Sequence, residues 1–166
     1  SRGLGDVYKR QVQVVSVNKE PVAKGAAAVL AVDDSTLTWE IKRLYFVDDA
    51  PVALSRYTIP AAMVPDLDQR DLHESIMEVL AGYNLKPAFT RENLSAATAR
   101  MEEQKLLQVS RSHPLLRFVR LLKDETGRAI AYIEASLRSD IVNVEVIMGD
   151  EPAPEPSTSR GAGENT

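Results

Sequence analysis

Residues Thr36 to Pro60 read TLTWEIKRLYFVDDAPVALSRYTIP, two strand-like runs joined across Val47-Asp48-Asp49-Ala50-Pro51. A strand has a side-chain period of two, so Trp39, Ile41, Arg43 and Tyr45 share one face of the first arm. Glu40, Lys42, Leu44 and Phe46 share the other. Arg43 is thereby aimed among large apolar neighbours. An unpaired buried charge costs several kcal/mol, so this arginine needs an anion or a hydrogen-bonding partner, whether a carboxylate of the chain or something the protein binds. Asp48 and Asp49 read as the hairpin tip rather than a metal site, because adjacent acids in a turn point apart and no further ligands accompany them.

Outward from the hairpin, the β-branched run Val12–Val17 reads as a strand that ends by Pro21. Ala26–Val32 is a helical turn or a strand; its length does not separate the two. After a connector, Asp71 has the form of an N-cap, with Glu74 three residues on. Leu72, Ile76, Val79, Leu80 and Tyr83 then recur at helical spacing, so a helix is expected from Leu72 to about Ala81, stopped by Gly82. Ser75 would lie in its first turn, where free N–H groups attract anions. Leu85–Ala97 reads as extended. Thr98 caps a second helix with Glu102 and Glu103 in its first turn and Met101, Leu106 and Leu107 on its apolar side. Leu115–Leu122 and Arg128–Leu137 form strands about a turn at Lys123–Gly127, and Asn143–Met148 a last strand. In the return strand Ala129, Ala131, Ile133, Ala135 and Leu137 make one face, the core. Tyr132, Glu134, Ser136 and Arg138 make the other, solvated or lining a polar cavity. Short strands, two helices and strands again predict an α+β domain on a mostly antiparallel sheet with helices packed on it.

The 166 residues, 44% hydrophobic and 27% charged, fit one domain. The absence of cysteine excludes a disulfide framework and a thiolate nucleophile, and suits a reducing cytoplasm. A net charge of −4 argues against a broad nucleic-acid footprint. No apolar run is long enough to span a membrane, so no membrane partner is expected. His73 and His113 lack a second ligand at a recognised spacing. Ser55, Ser75 and Ser136 lack nucleophile-elbow glycines, and no glycine-rich phosphate loop or dinucleotide fingerprint occurs. No metal, cofactor or catalytic residue is therefore expected. Arg117 and Arg120 fall on opposite strand faces, and Tyr45 and Tyr57 read as core residues with satisfied hydroxyls. Arg43, Ser75, Glu134 and Arg138 remain. Each has an ordinary structural role open to it, and together they would supply an anion-binding cleft if the fold brought them together. Residues 1–11, SRGLGDVYKRQ, resemble a cloning-derived adaptor, and 150–166, rich in Pro, Gly and Ser, are expected to be disordered.

Four stretches in order, RLYFVDDAPVALSRYTIP, DLHESIMEVLA, EEQKLL and HPLLRFVRLLKDETGRAIAYIEASLRSD, resemble the UTRA domain. This is the effector-binding half of HutC-subfamily GntR-type bacterial transcription regulators. The resemblance spans about Val12 to Met148, and the domain is assigned 12–149. It implies a chorismate-lyase-like fold, a homodimer, and a small anionic metabolite bound between sheet and helix. It also implies operator DNA contacted only through a winged helix-turn-helix domain that this chain lacks. Arg43 and Ser75 take the positions that hold the anionic part of an effector. Glu134 and Arg138, the latter preceding the usual aspartate at Asp140, lie in the closing strand where members also touch ligand. Tyr45 belongs to the same strand pattern. Ser55 stands where the family often has a glutamate, which unsettles any sugar-hydroxyl role. The alternative is a chorismate-lyase-like enzyme acting on a small dicarboxylate.

Overall fold

A computed structural model describes residues 10–144. Its centre is the expected hairpin: β2 (Leu37–Val47) and β3 (Ala50–Pro60) pair antiparallel through a two-residue turn. Asp48 and Asp49 both adopt positive φ, 49° and 66°, as a turn matching the twist of its strands requires. With β1 (Arg10–Pro21), β4 (Phe89–Thr98), β5 (Pro114–Lys123) and β6 (Ala129–Arg138) they form one six-stranded sheet in the order β1-β2-β3-β6-β5-β4. Every neighbouring pair is antiparallel, so the α+β class with an antiparallel sheet is borne out.

Strand alternation gives the sheet two different faces. On the first, Trp39, Ile41, Tyr57, Ile59, Ala131 and Ile133 meet the segment from Ala61 to Leu85, which folds back over them through Val64, Leu67, Leu72, Val79 and Leu80. On the second, α3 (Met101–Leu107) seats Leu107 on Leu44, Leu54 and Leu115, and α1 (Lys24–Leu30) seats Ala26, Ala27 and Leu30 on Leu121. Ala26–Val32 thus belongs largely to a helix, the small alanines allowing close approach to the sheet.

Three expected boundaries move. The helix after the connector, α2, is only Ile76–Ala81, and its N-cap is Ser75, not Asp71. The reason is a better box. Ser75 Oγ accepts from Glu78 N at 3.2 Å while Glu78 Oε2 accepts from Ser75 N at 3.3 Å, whereas Asp71 turns its carboxylate to the N–H and ring of His73. The last helix is capped at Arg100, whose N–H donates to Glu103 Oε1 at 2.9 Å, and Thr98 instead ends β4. β1 begins at Arg10, so Arg10 and Gln11, set aside with the adaptor-like segment, pair with Val47 and Phe46. Asn143 and Val144 carry no strand, and the rest of the expected last strand and tail lies outside the described residues. Among the described residues no helix is long and apolar enough to cross a membrane.

Candidate functional site

The segment Ala61–Leu85 covers only one end of the first face. At the other end the sheet is open, and a cleft of about 620 Å³ lies there. Its floor follows from the pairing register: Arg43 stands opposite Ser55, Ser55 opposite Ala135, and Ala135 opposite Phe118. Directly opposed residues of an antiparallel pair project to the same side, so this row faces the cleft together. Tyr57, Ile133 and Leu137 complete the floor, Ile76 at the start of α2 forms one wall, and Val142, Asn143 and Val144 another. At the rim Arg120 and Glu92 neutralise each other at 3.1 Å.

Arg43 ends this row on the same face, 5% exposed beneath the Leu72–Glu74 segment. Its Nη1 donates to the carbonyl of Leu72 at 3.2 Å and to that of Glu74; its Nη2 donates to Tyr57 Oη at 2.7 Å. The guanidinium also lies over two rings, 4.6 Å from the centroid of Tyr57 and 5.5 Å from that of Tyr45. These acceptors are all neutral. Among the described residues no carboxylate reaches ion-pair distance of Arg43, and its Nε has no hydrogen-bond partner. The charge is therefore solvated by carbonyls and a phenol but not neutralised. Tyr57 passes the polarisation on, its hydroxyl lying 2.6 Å from that of Tyr45. Burial, then the neighbouring Tyr57 hydroxyl, push the Tyr45 phenol upward against the pull of Arg43 and Ser55. Tyr45 thus keeps its proton as a hydrogen-bonding group at neutral pH, and both hydroxyls are hydrogen-bonded, as the reading of satisfied hydroxyls expected.

Of the six expected site residues, Arg43, Tyr45 and Ser55 come together with Tyr57. Ser75 stands one residue from Glu74, whose carbonyl Arg43 holds, but its hydroxyl and N–H are both engaged in the capping box. Glu134 and Arg138 do not join them. Strand parity turns them to the second face, where Glu134 Oε1 accepts from Arg100 at 2.7 Å and Arg138 binds Asp140 at 2.9 Å. Asp140 in turn meets His113 Nε2 at 3.2 Å. Glu134 belongs to a polar layer that ties α3 to the sheet: Lys42 and Arg56 hold Glu102 at 2.7 and 2.8 Å, and Arg117 grips both oxygens of the buried Glu103 at 2.6 and 2.9 Å. Only about 20 Å³ of space remains within that layer. The polar side of the return strand is taken up by partly exposed ion pairs, and the larger cleft opens on the side read as core. Phe118, Arg120 and Glu92 went unselected for the site, although following parity from Arg43 across successive strand partners reaches Phe118. Among the described residues no cluster of three or more His, Cys, Asp or Glu could hold a metal ion.

The family model of the UTRA domain matches residues 7–143. The HTH-type transcriptional regulator GgaR of Escherichia coli (strain K12) is 28% identical over 127 residues, 75% of this chain and 50% of that protein. The HTH-type transcriptional repressor NagR of Bacillus subtilis (strain 168) is 24% identical over 115 residues, covering 69% of this chain and 47% of that one. The chain thus spans about half the length of the curated relatives it matches. PhnF from Mycobacterium smegmatis superimposes with a TM-score of 0.81 at 20% identity, covering 89% of this chain and 66% of that one. The C-terminal domain of the histidine utilization repressor from Pseudomonas syringae pv. tomato str. DC3000 gives 0.76 at 17% identity, with 86% and 100% coverage. The fold is shared with these effector domains.

Proposed function

The chain belongs to the UTRA domain family, and on that premise we propose that it is the effector-binding domain of a transcription regulator. In this reading a small anionic metabolite enters the cleft beside Ser55 and Tyr57, within the field of Arg43, without being turned over. The observation that carries the reading is Arg43: a buried cation held by neutral acceptors, beside Ser55 at the edge of a cleft of metabolite size. A bound anion supplies the missing counter-charge where the dielectric is low and the attraction strong. The effector reaches Ser55 and the phenols of Tyr57 and Tyr45, while Arg43 acts from the covered end of the same face and also holds the segment leading into α2. Glu134 and Arg138 have their charges met on the second face and are left out of this site; Ser75 sets the position of the α2 wall.

The regulator works in the cytoplasm as a homodimer and reaches operator DNA through a winged helix-turn-helix domain outside residues 1–166, with Val12–Gly149 the domain proper. The acidic net charge of −4 supports assigning DNA contact elsewhere. A thermal-shift screen of small carboxylates and phosphates tests the effector reading, because a ligand that binds only the folded state raises the Tm. The stabilising anion is then titrated by calorimetry against Tyr57→Phe. Loss of one hydrogen bond lowers affinity about three- to tenfold. Affinity unchanged in both Tyr57→Phe and Ser55→Val would remove the cleft from the reading. Formation of 4-hydroxybenzoate on incubation with chorismate would overturn binding without turnover.

A further inference from the structure

The pairing register lays a second row of side chains beside the one that starts at Arg43. Tyr57 stands opposite Ile133, Ile133 opposite Arg120, and Arg120 opposite Glu92. All four line the cleft. Among the described lining residues Arg120 is the one cation, whereas Arg43 is buried with Nη1 and Nη2 both engaged. The hold of Glu92 on Arg120 is slight: one contact at 3.1 Å between side chains 44% and 37% exposed. An exposed pair of this kind adds little stability, because water screens it and two long side chains must be ordered to make it. Arg117 differs, gripped by both oxygens of the buried Glu103. Between Tyr57 and Arg120 the floor and walls are apolar, through Phe118, Ile133, Ala135, Ile76 and Val142.

We propose that Arg120 is the outer contact of the effector, exchanging Glu92 for an acidic group of the ligand, and that the ligand is an elongated diacid with an apolar body. The inference rests on the effector reading, which places the inner acidic group beside Ser55 and Tyr57 in the field of Arg43. Tyr57 and Arg120 are two strands apart in one row, so the two ends lie about 10 Å from each other. An apolar body suits the space between them, where a polyhydroxylated one would leave hydroxyls without partners. The guanidinium fork takes a ligand carboxylate in two parallel hydrogen bonds, against the single one it donates to Glu92. Glu92, once released, turns to water at the rim, so its charge is not stranded. It thereby competes with the ligand for Arg120.

The test is calorimetry on the full chain with three probes. Suberate sets two carboxylates at a comparable separation on an eight-carbon chain. Octanoate has the same length and one carboxylate, and succinate is too short to span the row. Suberate is expected to bind at least about tenfold more tightly than either, the weight of one charge-assisted hydrogen bond. Arg120→Gln, folded by circular dichroism, removes that advantage, so that suberate and octanoate bind alike. Glu92→Gln takes away the competitor and tightens suberate about twofold to fivefold. Suberate binding no more tightly than octanoate overturns the proposal, as does an advantage that survives Arg120→Gln. So does an absence of suberate binding while another acid raises the Tm, an outcome that leaves the effector reading standing. Stabilisation by no anion at all ends the effector reading, and this inference with it.

Discussion

Replacing Arg43 by methionine is the sharpest probe of how the cleft is held together. Methionine keeps an unbranched stem between the rings of Tyr45 and Tyr57 and removes only the guanidinium. Three hydrogen bonds from a charged donor are lost, to Leu72 O, Glu74 O and Tyr57 Oη, each worth about 1.5–3 kcal/mol. Against this, methionine has no charge to desolvate, a relief of several kcal/mol. What remains is set by the acceptors left behind. Tyr57 keeps Tyr45 at 2.6 Å, the partly buried Glu74 carbonyl turns to water, and the Leu72 carbonyl, deeper in, goes unsatisfied at about 1–3 kcal/mol. With the loosened entry to α2 added, a destabilisation of about 3 kcal/mol is expected in urea titration, and a Tm lower by about 10 °C for a domain of this size. Hydrogen exchange locates the damage: amides of Val79 and Leu80 lose protection before those of β5 and β6. Arg43→Lys, which keeps the charge but not the planar fork, restores less than half of the loss. A folded Arg43→Met within about 0.5 kcal/mol of the parent, with unchanged α2 protection, would refute the bracing role.

Ser75→Ala removes the capping box and is expected to cost about 1 kcal/mol, whereas Asp71→Ala stays within about 0.5 kcal/mol, both read by chemical denaturation. Asp49 sits at φ 66°, so Asp49→Gly relieves left-handed strain and raises stability by about 0.5–1 kcal/mol on the same measurement. Burial pushes the Glu103 carboxyl up, but hydrogen bonds from Ser136, the Arg100 N–H and Arg117 outweigh it and hold the pKa below the ordinary 4.5. Its contribution is therefore fully present above pH 4.5 and lost as pH falls through the lower folded value; Glu103→Gln is less stable at neutral pH and shows a shallower acid-side loss in pH-resolved thermal melts.

The hairpin, the antiparallel class and the burial of Arg43 were legible because each depends on local alternation and turn chemistry. The cap of α2 was misread because Asp71-x-x-Glu74 and Ser75-x-x-Glu78 have the same form in sequence. Packing of Leu72 into the core under the extended segment decides between them. Glu134 and Arg138, the expected site residues on β6, lie on the side of the strand away from the cleft. A polar face looks like a binding surface until the partner element is known, and α3 supplies that partner through Glu102, Glu103 and Arg100. Parity was readable from one strand, but which side a helix covers depends on contacts between residues far apart in the chain. Of the partners open to Arg43, the structure supplies hydrogen-bonding ones, the carbonyls of Leu72 and Glu74 and the Tyr57 hydroxyl, which lie too far along the chain for strand alternation to reveal.

The division of the sheet into two faces bears on how such a protein diversifies. From Ile133 to Leu137 of β6, alternate residues line the cleft, and Glu134 and Ser136 between them face the ion-paired layer beneath α3, so point mutations in this stretch sort by parity into two sets. Ala135, small and only half-buried between Ser55 and Phe118, is a position where larger side chains would reshape the cleft floor while Glu134 and Ser136 keep their partners on the reverse side. On the proposed effector reading, ligand preference would drift through such positions under selection while the scaffold persists, without passing through an unfolded ancestor.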